Sequence, residues 1–181
     1  MGAESAKGKR GVGRKILYRR DSPCLQELLP LMEGASHRAL VLWALDCAQE
    51  ALSAFEEGWP GEARPRVALQ KCEAWARGGI KMPEAKRAIL DAHAAAKETA
   101  SPYLAALAHA VGQAGSTVHV GTHAPGLVFY ELTANRLGAG PAWEAAVTEK
   151  IDFHTERLLY WREHADDPGR SWAQFLADGK R

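Results

Sequence analysis

The sequence predicts an all-α protein, a single compact bundle of about six helices preceded by a basic N-terminal arm. Apolar residues recur at helical spacing through most of the chain. Serine and proline steps that begin helices alternate with glycines that end them, and alanine-rich segments indicate close helix packing. With 181 residues the chain can bury one substantial core. We therefore divide it into an arm, residues 1–21, and a helical bundle domain, residues 22–181.

The first predicted helices begin at serines. Ser22 stands before Pro23, a pair typical of a helix start, and Pro30 is expected to end or kink this short helix. Ser36 can cap a longer helix that runs to Gly58. The buried stripe predicted for this longer helix consists of Leu40, Trp43, Ala44, Cys47, Ala48, Leu52 and Phe55.

Prolines mark the starts of the later helices, which we place at Pro65, Pro83, Pro102, Pro125 and Pro141. Gly78 and Gly138 are expected to end two of them, and residues 171–181 form a short terminal helix or an adhering tail. The stretch TVHVGTH, residues 117–123, could instead be a strand because its β-branched residues alternate. A lone strand would leave its backbone groups unpaired, which favours the helix.

Histidines recur along one predicted helix seam. His109, Gly112, Ser116, His119 and His123 are separated by three or four residues, and His93 can approach from the preceding helix. Three or four imidazoles would suit zinc, with His93, His109, His119 and His123 as ligands. The pattern lacks the glutamate of HExxH, so no general base accompanies the ligands. The alternative, which we favour, is a packed seam whose glycines admit a neighbouring helix.

No residue is predicted to be catalytic. Cys47 lies in an apolar stripe, where its thiol pKa should rise and its reactivity should fall. Ser116 lacks the strand–turn–helix elbow of a catalytic serine, and the glycines of GKGKRGVG follow no strand. These observations favour a protein that is not an enzyme.

Charge is distributed unevenly along the chain. The first twenty residues carry seven basic side chains and one acidic side chain, a charge of +6, so the rest carries −5 within the total of +1. The arm could contact nucleic acid or an acidic partner, and the alternative, which we favour, is a solvated terminus. The candidate residues are Lys7, Lys9, Arg10, Arg14, Lys15, Arg19 and Arg20.

Location and internal pairing can also be predicted. Three widely spaced cysteines without a CxxC pair indicate a reducing cytoplasm, and the apolar runs are too short to span a membrane.

Asp46 lies beside a predicted buried face, and Arg64 and Arg66 flank Pro65 at a helix start. We expect an ion pair between Asp46 and Arg66, because buried polar groups are normally paired.

Three segments together resemble a known family. ALVLWALDCAQEALSAFEE, RPRVALQKCEAWARGGIKMPEAKRAILDAHAAAKET and AHAVGQAGSTVHVGTHAPGLVFYEL, within about residues 38–135, are similar to the immunity-five-like immunity proteins of bacterial polymorphic toxin systems. The resemblance implies an all-helical protein that neutralises a toxin by binding it. Gln49 and Lys97 depart from the family pattern, as do Gly115, Gly121 and Pro125, which interrupt what is normally an alanine-rich run. Residues with a structural or family-matching role are Trp43, Asp46, Cys47, Arg64, Pro65, Arg66 and Trp75.

Three functions follow, in order of preference. The first is an immunity-type binding protein whose partner is a toxin. The second is a metal-binding helical protein or metal-dependent enzyme that uses the histidines, and the third is a nucleic-acid-associated protein that uses the arm. For the first function the candidate contacts are Glu56, Glu57, Glu62, Asp166 and Asp167.

Overall fold

The computed structural model describes residues 16–179, and in that range the chain is helical without strands. The all-α prediction is therefore confirmed. The described helices are α1 (Leu28–Glu33), α2 (His37–Gly58), α3 (Arg64–Ala76), α4 (Met82–Glu98), α5 (Pro102–His119), α6 (Ala124–Gly138), α7 (Trp143–His164) and α8 (Gln174–Ala177). Short 3-10 turns occupy Pro23–Leu25, Gly121–His123 and Gly140–Ala142.

Helix α5 forms the centre of the bundle. It packs against α2, α3, α4 and α6, while α7 covers α2 and α6 from the other side. Small residues let these helices approach closely: a Cβ added to Gly115 would lie 2.7 Å from Cys72 Sγ on α3. The buried stripe predicted for α2 is confirmed, since all seven of its members are buried.

Two long helices begin beside the residues predicted to start them, α2 after Ser36 and α5 at Pro102. The Ser36 hydroxyl accepts a hydrogen bond from the Ala39 amide at 3.2 Å, and Ser101 does the same for Leu104 at 3.3 Å. Pro30 does not end the first helix, because this residue lies within α1. Proline is tolerated there because amides in the first turn of a helix have no acceptor within that helix.

The TVHVGTH stretch is helical up to His119 and then breaks. Val120 is extended, with φ −151° and ψ 130°, before the 3-10 turn that leads into α6. His37 Nε2 lies 2.7 Å from the Thr117 carbonyl oxygen, one of the carbonyls left without a helical partner at the end of α5. The break borders an apolar recess of about 630 Å³.

Both described ends of the chain lie on the bundle. The Leu17 amide donates to Thr133 Oγ1 at 3.0 Å, and the Ala173 amide donates to the Ala76 carbonyl at 2.8 Å. Five of the predicted nucleic-acid-binding residues, Lys7, Lys9, Arg10, Arg14 and Lys15, lie outside the described residues. Among the helices of residues 16–179, none has the length and apolar character needed to cross a membrane.

Candidate functional site

Two of the four candidate histidine ligands are in direct contact. His93 on α4 and His109 on α5 have their Nδ1 atoms 2.8 Å apart, as the predicted approach of α4 requires. The His109 ring also packs on Tyr130, with 4.8 Å between ring centroids. A Cβ on Gly112 would lie 2.5 Å from His93 Cε1, so the glycine makes room for the imidazole. Burial lowers the pKa of His93, and nearby Lys97 and His123 lower it further.

The other two histidines have different neighbours. His119 stacks on Trp75 with 6.0 Å between centroids, and His123 Nδ1 lies 3.2 Å from Gln113 Oε1. Between residues 16 and 179 no group of three or more His, Cys, Asp or Glu side chains is arranged to hold a metal ion. Of the four candidate ligands, only His93 and His109 are thus in direct contact within the described residues, and the four imidazoles do not surround a common point. Zinc binding stays a prediction that elemental analysis of the purified protein would test.

The predicted Asp46–Arg66 ion pair is wrong. Asp46 points towards α7, where its Oδ2 accepts from Arg157 Nε at 2.6 Å and from Trp161 Nε1 at 2.8 Å. Arg66 instead forms an ion pair with Glu56. Asp46 pairs with the helix that packs on its own face of α2, and that partner is 111 residues away in sequence.

Arg64 and several predicted acidic contacts are engaged in other pairs. Arg64 bridges Glu62 and Glu98, with its Nη2 2.6 Å from Glu62 Oε2. Asp166 pairs with Arg38 at 3.1 Å. Together with the Glu56 pair, these contacts leave fewer of the predicted carboxylates available to a partner.

A buried charged network, absent from the sequence analysis, lies between α2, α6 and α7. Glu131 on α6 is 2% exposed and its Oε2 lies 2.8 Å from Nε2 of the fully buried His154 on α7. Lys150 Nζ lies 3.8 Å from Glu131 Oε1 and also contacts Glu50 on α2. The available signal was Glu131 itself, a carboxylate that follows the apolar run LVFY within the helix segment GLVFYELTANRL.

Neighbouring carboxylates raise the pKa of both Lys150 and Cys47, which keeps the lysine charged and the thiol neutral. Burial acts to lower the pKa of Lys150, but Glu131 and Glu50 outweigh it, so the pKa is raised and the side chain stays charged. Cys47 is fully buried, and burial followed by the charges of Glu131 and Asp46 raises its thiol pKa well above the ordinary value. The expected low reactivity of this thiol is therefore supported.

A recess of about 700 Å³ opens beside Lys150, and we call it the Lys150 recess. Its side chains come from α2, α5, α6 and α7. The larger side chains that line it are Glu50, Tyr103, Asn135, Glu149, Lys150 and Phe153. Gly138 lets the Tyr103 ring lie against the end of α6, since a Cβ there would be 2.8 Å from Tyr103 Cε2.

The outer side of α7 carries a stripe of carboxylates, which we call the α7 acidic face: Glu149, Asp152, Glu156 and Glu163. These residues are separated by three, four and seven positions, so they share one side of the helix, and all are exposed. None of them forms an ion pair with another residue of the described range 16–179. Leu159 and Tyr160, 45% and 42% exposed, lie on the same side.

Fold and site together define an all-α bundle protein with an acidic, partly apolar surface along one helix. The family model described as Imm-5 like putative immunity protein matches residues 30–159, well over half of the chain. The chain belongs to this family. No curated protein and no solved structure matches it.

Proposed function

We propose that the protein is an immunity-type binding protein that neutralises a bacterial toxin by direct contact through the α7 acidic face. Membership of the immunity family supports an immunity role. The three cysteines are free, which supports action in the reducing cytoplasm.

The observation that carries the proposal is the contrast between the acidic residues of α7 and those of α3 and α4. Every acidic residue of α3 and α4 forms an ion pair: Glu73, Glu84, Asp91 and Glu98. The four carboxylates of the α7 acidic face have no such partner within residues 16–179 and flank two exposed apolar side chains. Charge complementarity across an interface accelerates association and selects partners, while a central aromatic side chain supplies affinity.

The test is growth protection: the chain is coexpressed with the product of each reading frame adjacent to its gene, and a product that arrests growth by itself is the candidate toxin. The chain should restore growth and copurify with that product. Replacing Glu149, Asp152 and Glu156 by Gln, Asn and Gln should weaken protection. In solution the same replacements should slow association with the candidate toxin, more strongly at low salt than at high salt.

A matched control removes the same kind of charge elsewhere. Glu84→Gln with Asp91→Asn neutralises two exposed carboxylates on α4, and protection should be unchanged. Absence of protection by the unaltered chain would refute the immunity role. Equal loss of protection in the α4 and α7 variants would refute the assignment of the surface to α7.

A further inference from the structure

We infer that the Lys150 recess receives a basic side chain, an arginine, from the partner of the α7 acidic face. This inference rests on the proposed function and names the chemistry that the partner presents. The recess and the face are continuous, because Glu149 belongs to both.

The charge of the recess selects a cation. Glu50 and Glu149 line it, and Glu131 lies directly behind, against one ammonium group from Lys150. Three carboxylates and one ammonium leave the group negative whether His154 is neutral or protonated. An anion entering here would meet net repulsion, and an apolar group would desolvate carboxylates without compensation.

Lys150 does not itself fill the role of this cation. Its side chain is 13% exposed and is held inward by Glu50 and Glu131, over the Phe153 ring with 4.8 Å between Nζ and the ring centroid. Glu149, in contrast, stands exposed at the edge of the recess. The internal lysine therefore leaves the outer part of the recess negative.

The walls suit a planar guanidinium better than a compact ammonium. Tyr103 forms a side wall, and Gly138 leaves the space that its ring occupies. The side-chain Nδ2 of Asn135 donates a hydrogen bond to the Ala146 carbonyl oxygen at 3.2 Å. The side-chain oxygen of Asn135 is not used in that bond and can accept one from a ligand. Arginine can stack on an aromatic ring while it donates several hydrogen bonds in one plane to carboxylate and carbonyl oxygens.

The test uses the full chain and a peptide probe. The ¹⁵N-labelled protein is titrated with acetyl-Gly-Arg-Gly-amide and with its citrulline counterpart, which has nearly the same shape and no charge. The arginine peptide should shift the amide signals of Tyr103, Asn135 and Lys150, and the citrulline peptide should not. Glu149→Gln should weaken binding roughly tenfold, the factor that about 1.4 kcal/mol represents.

The control is Glu163→Gln, which removes a charge from the same face roughly 21 Å further along α7, at about 1.5 Å per residue. Binding of the arginine peptide should be unchanged in that variant. Equal shifts with the citrulline peptide, shifts confined to the region of Glu163, or equal weakening by both variants would overturn the inference.

Failure of the inference and failure of the proposed function are distinguishable. If the unaltered chain protects cells but the arginine peptide does not shift the recess signals, the function stands and the arginine inference falls. If the peptide binds in the recess while the chain gives no protection, the immunity role falls.

Discussion

Substituting Gly112 by alanine should destabilise the protein through a contact with His93. A Cβ at this position would lie 2.5 Å from His93 Cε1 and 2.8 Å from Nε2, closer than carbon atoms pack. The His93 ring cannot easily move away, since its Nδ1 lies 2.8 Å from His109 Nδ1 and His109 in turn packs on Tyr130. The substitution must therefore displace the imidazole pair or separate α4 from α5.

Three contributions set the expected magnitude. Replacing glycine by alanine inside a helix stabilises it by about 1 kcal/mol. Overpacking costs about 1–3 kcal/mol, and losing the contact between the two imidazoles costs about 1 kcal/mol. The net result for Gly112→Ala is a free energy of unfolding lower by about 1–3 kcal/mol.

The decisive measurement is a double-mutant cycle with His93→Ala, in which the free energy of unfolding of each variant is measured by urea unfolding at pH 8. Without the His93 ring, Gly112→Ala should stabilise the protein by about 1 kcal/mol, since only the helix contribution remains. The difference between the two backgrounds is then about 2–4 kcal/mol, from the overpacking and hydrogen-bond contributions together. Equal effects of Gly112→Ala in both backgrounds would show that the His93 ring does not lie against this glycine.

Three further predictions concern acidity, thiol reactivity and pairing. Because burial lowers the pKa of His93, the unfolded chain binds a proton at this imidazole more readily than the folded chain does. The free energy of unfolding should therefore fall as pH drops below about 6.5. His93→Gln should make this fall with pH less steep in urea titrations at several pH values, and an unchanged pH dependence would contradict the role given to His93. Iodoacetamide should label one thiol per native chain at pH 8, that of Cys24, because Cys24 is exposed whereas Cys47 and Cys72 are buried. Burial raises the thiol pKa of all three cysteines, to about 12 for Cys72 and well above the ordinary value for Cys47. Mass spectrometry showing two or three labels would refute this prediction. Asp46→Ala removes the acceptor shared by Arg157 and Trp161 of α7. The free energy of unfolding should fall by roughly 1 kcal/mol, the modest value expected for a half-exposed network. A thermal midpoint equal to that of the unaltered chain would contradict this prediction.

The candidate sites were less predictable than the helices. Helical spacing correctly predicted that His93 approaches the α5 seam, since residues on facing helices must meet somewhere along their length. Helical spacing could not predict which side chain each histidine ring would contact. His119 turned to Trp75 and not to His123, because the helix breaks between those two histidines at Val120.

Short-range signals determined what the sequence could predict by itself. Ser36 and Ser101 bond to amides three residues away, and the buried stripe of α2 repeats with the period of its own helix, so each of these features depends on local backbone geometry alone. Only the tertiary structure decided that Asp46 meets Arg157 and that Glu131 meets His154. These partners are brought together by the order in which whole helices pack, and that order depends on the summed burial of many side chains, which no single stretch of sequence specifies.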